Sequence, residues 1–523
     1  MKVSFLTTIF LSMSIFILAQ TPTFEWAKNM GGNYGFPSST TMVTDSFGNI
    51  LTAGYFQGNV DFDPGPAFYY LSSENIAKTF ITKTDASGNL IWAKAYGGKN
   101  INSIAVYGIN NICITGTFEY TADLDPGSGV YNLTSVGSTD IFIARLNGSG
   151  DLVWARQIGS YWDDSALSIA IDASENIYTT GDFVGNVDFD PGPGNFNLNT
   201  VVFTHNVFIS KLNSNGNFVF AKHLPGDESY AKAMTLDNSG SIIITGYFQN
   251  MTDFDPDISV YNLTSSGFYD IFIAKYNTNG FLVWAKKIGG SNLDISYSIK
   301  SDAAGNIYTI GTFKDTVDFD PGVSVDNLIS AGNSDIFITK LDVSGNYDWT
   351  YQIGAVSSDE GRSIFLDGLG NIYATGRFGA SIDFDAGVGI FNLTATNYDV
   401  FILKLDTSGS FVFAKSVEGG ASSLATGVSI AVDQSGNIYT SGGFTKTCDF
   451  DPGPGIFNLY ALYTAFVFNL KLDISGNFLW AYSIGESSAA SLMSLTADPA
   501  GNVYATGYFY GNVDFDPGRE YSL

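Results

Sequence analysis

The motif D-x-D recurs along this chain with its first aspartate at positions 61, 123, 188, 253, 318, 383, 449 and 514. Successive copies stand 62 to 66 residues apart, so one unit of about 65 residues is iterated from end to end. A unit that short cannot bury its apolar face alone, and stacking on its neighbours is the available remedy. The chain is therefore one array, not several domains joined by linkers.

One unit, residues 296–354, shows the grammar: "SYSIKSD", "AAGN", "IYTIGTF", the "DFDPG" excursion, "SDIFITKLD", "VSGN" and "YDWTYQIG". Four short segments are rich in Ile, Val, Tyr, Phe and Trp, the residues favoured in strands. Asp302 to Asn306 and Asp342 to Asn346 spell D-x-x-G-N turns, in which Asp bonds the turn's own amides and Gly takes positive φ. No segment has a sustained period of 3.6, and an aromatic content of 15% with 58 glycines suits strands and tight turns. The expected fold is all-β: a β-propeller of four-stranded antiparallel blades, about eight of them, or seven with flanking pieces. The fourth segment carries an aromatic at a fixed place: Trp26, Trp92, Trp154, Phe220, Trp284, Trp349, Phe413 and Trp480. These read as packing between blades, with sugar stacking as the rival.

The unit "D-x-x-G-N-I-Y-x-T-G-x-F … V-D-F-D-P-G … D-I-F-I-x-K-L-D" resembles the SBBP-type β-propeller repeats of exported bacterial proteins. Asp172 to Phe183, Asp302 to Lys340 and Asp433 to Phe444 carry the resemblance best. It implies a propeller and no established reaction.

Lys2 followed by the apolar stretch Phe5 to Leu18 reads as a signal peptide, residues 1–20, cleaved near Ala19–Gln20. Residues 21–523 form the propeller, secreted or held at the cell surface, with no further long apolar run and no membrane span expected. The segment "DIFIxKLD" occurs seven times against eight for the others, so the last blade looks incomplete. Residues 23–29 are expected to complete it beside strands near 491–498 and 502–509, with the gene continuing past Leu523 into a strand like "DIFITKLD".

Twenty-four bases against 51 acids give a net charge of −27, which excludes nucleic acid as a plausible partner and suits cations. The sixteen D-x-D carboxylates are the metal candidates, for calcium: Asp61 and Asp63, Asp123 and Asp125, Asp188 and Asp190, Asp253 and Asp255, Asp318 and Asp320, Asp383 and Asp385, Asp449 and Asp451, Asp514 and Asp516. The motif lacks further acidic ligands, so the competing reading is a Pro-Gly hairpin with solvated acids, and no cofactor is required. Cys113 and Cys448 occupy unrelated positions and read as small buried hydrophobes. His205 and His223 each occur in a single repeat, with no catalytic motif beside them.

The loop from each fourth segment to the next first one varies most. It holds Trp162, Asp163 and Asp164; Asp227 and Glu228; Asp294; and Asp359, Glu360 and Arg362. In a propeller such loops gather at the mouth of the channel, so these residues are the candidates for ligand contact. The leading reading is a non-catalytic extracellular binding or scaffold protein for a glycan or protein. The alternative is a polysaccharide-active enzyme, which would need a blade-unique acid pair or His at the mouth.

Overall fold

The computed structural model describes residues 26–31 and 36–509, apart from residues 64, 66, 74, 75, 109, 110, 202, 256, 258, 421, 486–489 and 499–501. The expected signal peptide, residues 23–25 of the expected closing strand, and Asp514 and Asp516 lie outside these residues. Every regular element among them is a β-strand, and no helix is long and apolar enough to cross a membrane.

The third unit shows the design. Strands Ser165–Ile171, Ile177–Phe183, Asn206–Leu212 and Phe218–His223 pair antiparallel in chain order. Seven units repeat this order. Among the described residues the eighth sheet has two strands, Ala490–Ala497 and Val503–Phe509. The D-x-x-G-N turns form as their chemistry dictates. Asp302 accepts the amides of Ala304 and Asn306, each at 2.9 Å, while its other oxygen takes the Asn306 side-chain amide at 2.8 Å. Gly305 sits at φ +84°, where a side chain would be strained.

The core lies between sheets. Ile310, Ile338 and Ile353 of the fifth sheet, for example, pack against Ile364, Ala374 and Phe401 of the sixth. The fourth-strand aromatics reach across the same gap. Trp284 donates its indole N–H to Val343 O at 3.2 Å and covers Gly345 so closely that a Cβ there would meet the ring at 2.6 Å. They are packing residues, as expected.

First strands follow one another around a closed cycle, each against the next, and the eighth returns to the first. Trp26 donates to Ala86 O at 3.0 Å and its ring centre lies 6.1 Å from that of Tyr504; Trp349 and Tyr308, on the fourth and second strands of the fifth sheet, stand 6.3 Å apart. Gly31 and Asp61 exchange backbone bonds of 3.1 and 2.8 Å. Residues 26–31 thus hold the fourth-strand place of the eighth sheet.

Candidate binding face on the inner strands

The D-x-D excursion is a small hairpin: Asn186–Asp188 pairs with Asn197–Asn199. Asp188 Oδ1 accepts the amides of Asp190 at 3.0 Å and Phe196 at 2.8 Å, and Asp190 Oδ1 accepts that of Gly192 at 2.8 Å. The same two bonds recur at the first aspartate of every described copy: Asp61, Asp123, Asp253, Asp318, Asp383 and Asp449. The apolar residue between the carboxylates points inward. Phe319 is fully buried, 5.0 Å from Phe313 and 5.2 Å from Phe337. The hairpin then ties back to the preceding sheet, through Gly289 with Asp318 and Glu418 with Asp449. These acids are acceptors for their own loop's amides. Among the described residues no three His, Cys, Asp or Glu side chains are grouped to hold a metal.

Each innermost strand carries a bulge at a shared place, where the pairing register skips a residue. The residues skipped there are Thr40, Asn102, Leu167, Lys232, Tyr297, Arg362, Val428 and Met493, and the fourth sheet's strand has a second shift, at Asp227. The backbone is the same each time and the side chain never is. Between the second and third sheets this variable face holds a cavity of about 380 Å³, lined by Lys99, Asn100, Asn102, Thr117, Thr139, Asp163, Asp164, Ser165 and Leu167. Lys99 pairs with Glu119 at 2.6 Å. The hydroxyls of Ser138 and Thr139 hold the Asp163 carboxyl below its ordinary pKa. Trp162, next to Asp163 in the chain, is exposed between two further exposed aromatics, Tyr161 and Phe203, whose ring centres lie 5.2 and 4.9 Å from its own.

One repeat further on the same positions are filled differently. His205 Nδ1 lies 2.8 Å from Asp182 Oδ2, and the ring stacks on Tyr230 at 5.2 Å. This bond raises the His205 pKa. Tyr269 donates to Glu228 Oε2 at 2.6 Å. On the sixth sheet Glu360 pairs with Arg362 at 3.0 Å and Arg377 at 3.1 Å. His205 and Asp182 thus form a histidine–carboxylate pair across the second and third strands of the sheet.

Two segments of the chain, residues 153–182 and 348–377, match the family model described as the SBBP β-propeller repeat. At these two places the chain matches the SBBP repeat. Each matched segment runs from a fourth strand, through the variable loop, to the next second strand, and so contains Trp162 and Asp163 in one case and Glu360 and Arg362 in the other. The chain is also 25% identical to an uncharacterized WD repeat-containing protein of Acanthamoeba polyphaga mimivirus, over 82% of this chain and 36% of that protein. It is 23% identical to the regulatory protein FlaEY of Caulobacter vibrioides, over 37% of this chain and 20% of that protein. The chain thus spans about a third and a fifth of these relatives' lengths. Among solved structures, Sqt1 from Chaetomium thermophilum is 10% identical with a TM-score of 0.46, covering 93% of this chain and 100% of that one. A protein of unknown function from Bacteroides caccae is 9% identical with a TM-score of 0.25, covering 64% of this chain and 89% of that one. The fold rests on the SBBP match and on the strands themselves, and these two likenesses add no argument.

The loop acids of the array divide into two kinds, and one expectation is corrected. Asp164, Asp294 and Asp359 are wholly buried, not displayed to a ligand. Asp164 accepts the amides of Ser160 at 2.6 Å and Val184 at 3.0 Å; Asp294 takes Gly290 and Lys314, and Asp359 takes Ala355 and Gly379. They staple each loop to the following sheet. Burial pushes all three up to about 7. Asp140, Asp270 and Asp335 of the preceding sheets add their charge to that shift, and each keeps one buried oxygen without a hydrogen-bond partner. Asp163, Glu228 and the Glu360–Arg362 pair stand at or near the first strands of three different sheets, and Asp227, exposed, accepts from Asn250 at 2.7 Å. His205 and Asp182 were missed. The signal lay in the variable residue of T-G-x-F, which reads Tyr55, Thr117, Asp182, Tyr247, Thr312, Arg377, Gly443 and Tyr508. His223 is a packing histidine, held down at about 4 by burial. Cys113 and Cys448 are buried, and burial lifts both thiols to about 12, so neither is a ready nucleophile.

Proposed function

We propose that this chain is a non-catalytic, exported β-propeller that binds a glycan on its repeat-variable inner face. The observation carrying the reading is the pairing of exposed aromatics with a polar cavity. Trp162, Tyr161 and Phe203 offer apolar faces for sugar rings, and Lys99, Asn100, Asn102 and Asp163 offer hydroxyl-matching donors and acceptors beside them. Export is supported by Lys2 and the apolar stretch that follows it. A glycan array on the purified protein tests the reading. Hits should weaken at least tenfold in Trp162→Ala and Asp163→Ala, with unchanged melting temperature; an array with no hit removes the glycan ligand.

A second reading is favoured by one observation, the blade-unique Asp182–His205 pair, which could move a proton for a polysaccharide-active enzyme. Hydrolysis of a polysaccharide panel, lost in His205→Asn, would put this reading first.

A further inference from the structure

The fourth sheet carries a feature found on neither neighbour. Tyr230, Tyr247 and Tyr269 form a cluster, with ring centres 5.2 Å apart for the first pair, 5.1 Å for the second and 6.4 Å for the outer two. The corresponding residues are Ile295, Thr312 and Ser334 on the fifth sheet. A carboxylate is tied into the cluster: Tyr269 and Tyr230 both donate to Glu228 Oε2, at 2.6 and 3.5 Å. Both bonds fall on one oxygen, and among the described residues no donor is bonded to Oε1. Asp182, through the same groove, holds His205 with its Oδ2. Aromatic faces edged by carboxylates attract cations, because the ring quadrupole and the anion act in the same direction. One cation of the chain already lies against the cluster. The Lys232 ammonium, on the bulge of the same sheet's first strand, sits 5.3 Å from the Tyr247 ring centre.

We propose that this tyrosine–carboxylate cluster receives the ammonium group of an amino-sugar unit, which makes the ligand a glycan bearing free amines. The proposal rests on the glycan reading above and narrows it. An ammonium would lie against Tyr247 and Tyr269 and donate to Glu228, displacing Lys232. The acidic surface, at −27 overall, favours the approach of such a polycation.

His205 adds a pH dependence. Asp182, Glu228 and Asp164 face it with negative charge, Tyr230 covers its ring, and its pKa is raised. Below that pKa the imidazolium competes with the ligand's ammonium, so binding should strengthen as pH rises through it. Binding then fades where the amine itself deprotonates.

The test is titration calorimetry with a glucosamine hexamer and its fully N-acetylated counterpart. The free-amine hexamer should bind at least tenfold more tightly, and Glu228→Gln should erase that preference. Lys232→Ala should bind the amine several-fold more tightly, a gain that misfolding cannot mimic, and His205→Asn should flatten the acid side of the pH profile. Equal binding of the two hexamers, weakened alike by Trp162→Ala, overturns the amine inference and leaves the glycan reading intact. Binding of neither hexamer overturns the inference as well, and array hits on other glycans would then show that the glycan reading survives it.

Discussion

The outer hairpins and the inner grooves are built by the same repeat, yet they use carboxylates in opposite ways. In the hairpins the aspartates are the same in every copy and are spent on amides two and eight residues onward. In the grooves the residue type changes from sheet to sheet, and carboxylates meet partners on other strands or on other sheets. Repetition therefore marks what the fold needs, and departure from it marks where a ligand has room to be recognised. The acids buried at the sheet junctions belong with the hairpins, although in sequence they sit among the variable loops.

That contrast can be broken by mutation. Trp284→Ala should cost most, about 3–5 kcal/mol, by opening a cavity between the fourth and fifth sheets. Denaturant unfolding reads it, and a loss under 1 kcal/mol would deny the ring its packing role.

The junction acids come next, through pH. Asp164, Asp294 and Asp359 stand at about 7 in the fold, against about 4 in an unfolded chain. The native state therefore holds protons that the unfolded state releases between those values. Their contribution to stability is complete below about pH 4 and shrinks up to about pH 7. The melting temperature should fall across that interval and level off above it, and Asp359→Asn should make the fall shallower. A melting temperature that rises from pH 4 to 7 would contradict the assignment.

Asp188→Ala in a hairpin should cost about 1.5–3 kcal/mol, since two amides lose a charged acceptor. Asp163→Ala in the groove should change stability by under about 0.5 kcal/mol while it weakens binding. If the two substitutions destabilise equally, the division between scaffold and site fails. The smallest effect concerns calcium, which two carboxylates per hairpin could still attract. Should they bind it, millimolar calcium raises the melting temperature beyond a matched ionic-strength control and chelator lowers it. Shifts equal to the control end the metal reading.

Much of this was legible before any coordinates, for local reasons. The turn aspartates bond atoms within four residues, so D-x-x-G-N announces its own structure, and the period of the array announces stacking. Trp284 was legible because it recurs. Asp164 was not, because the amide of Val184 that it accepts lies 20 residues on, just past the strand Ile177–Phe183, and its neighbour Asp163 looks identical in sequence. His205 was missed for a related reason. Its partner Asp182 is 23 residues away, and only strand pairing brings the two together.

The seam at Trp26 and Tyr504 sets a timetable for synthesis. At the usual ribosomal pace of roughly 5–20 residues per second, Tyr504 emerges about half a minute to a minute and a half after Trp26. Throughout that delay the segment 26–31 has its place against the first sheet but nothing behind it, and the first sheet's outward face stays wet. The earliest part of the ring to be made is thus the last to be enclosed. A nascent chain stalled before residue 490 should offer that face to chaperones and proteases, and release from them should coincide with the arrival of Val503–Phe509.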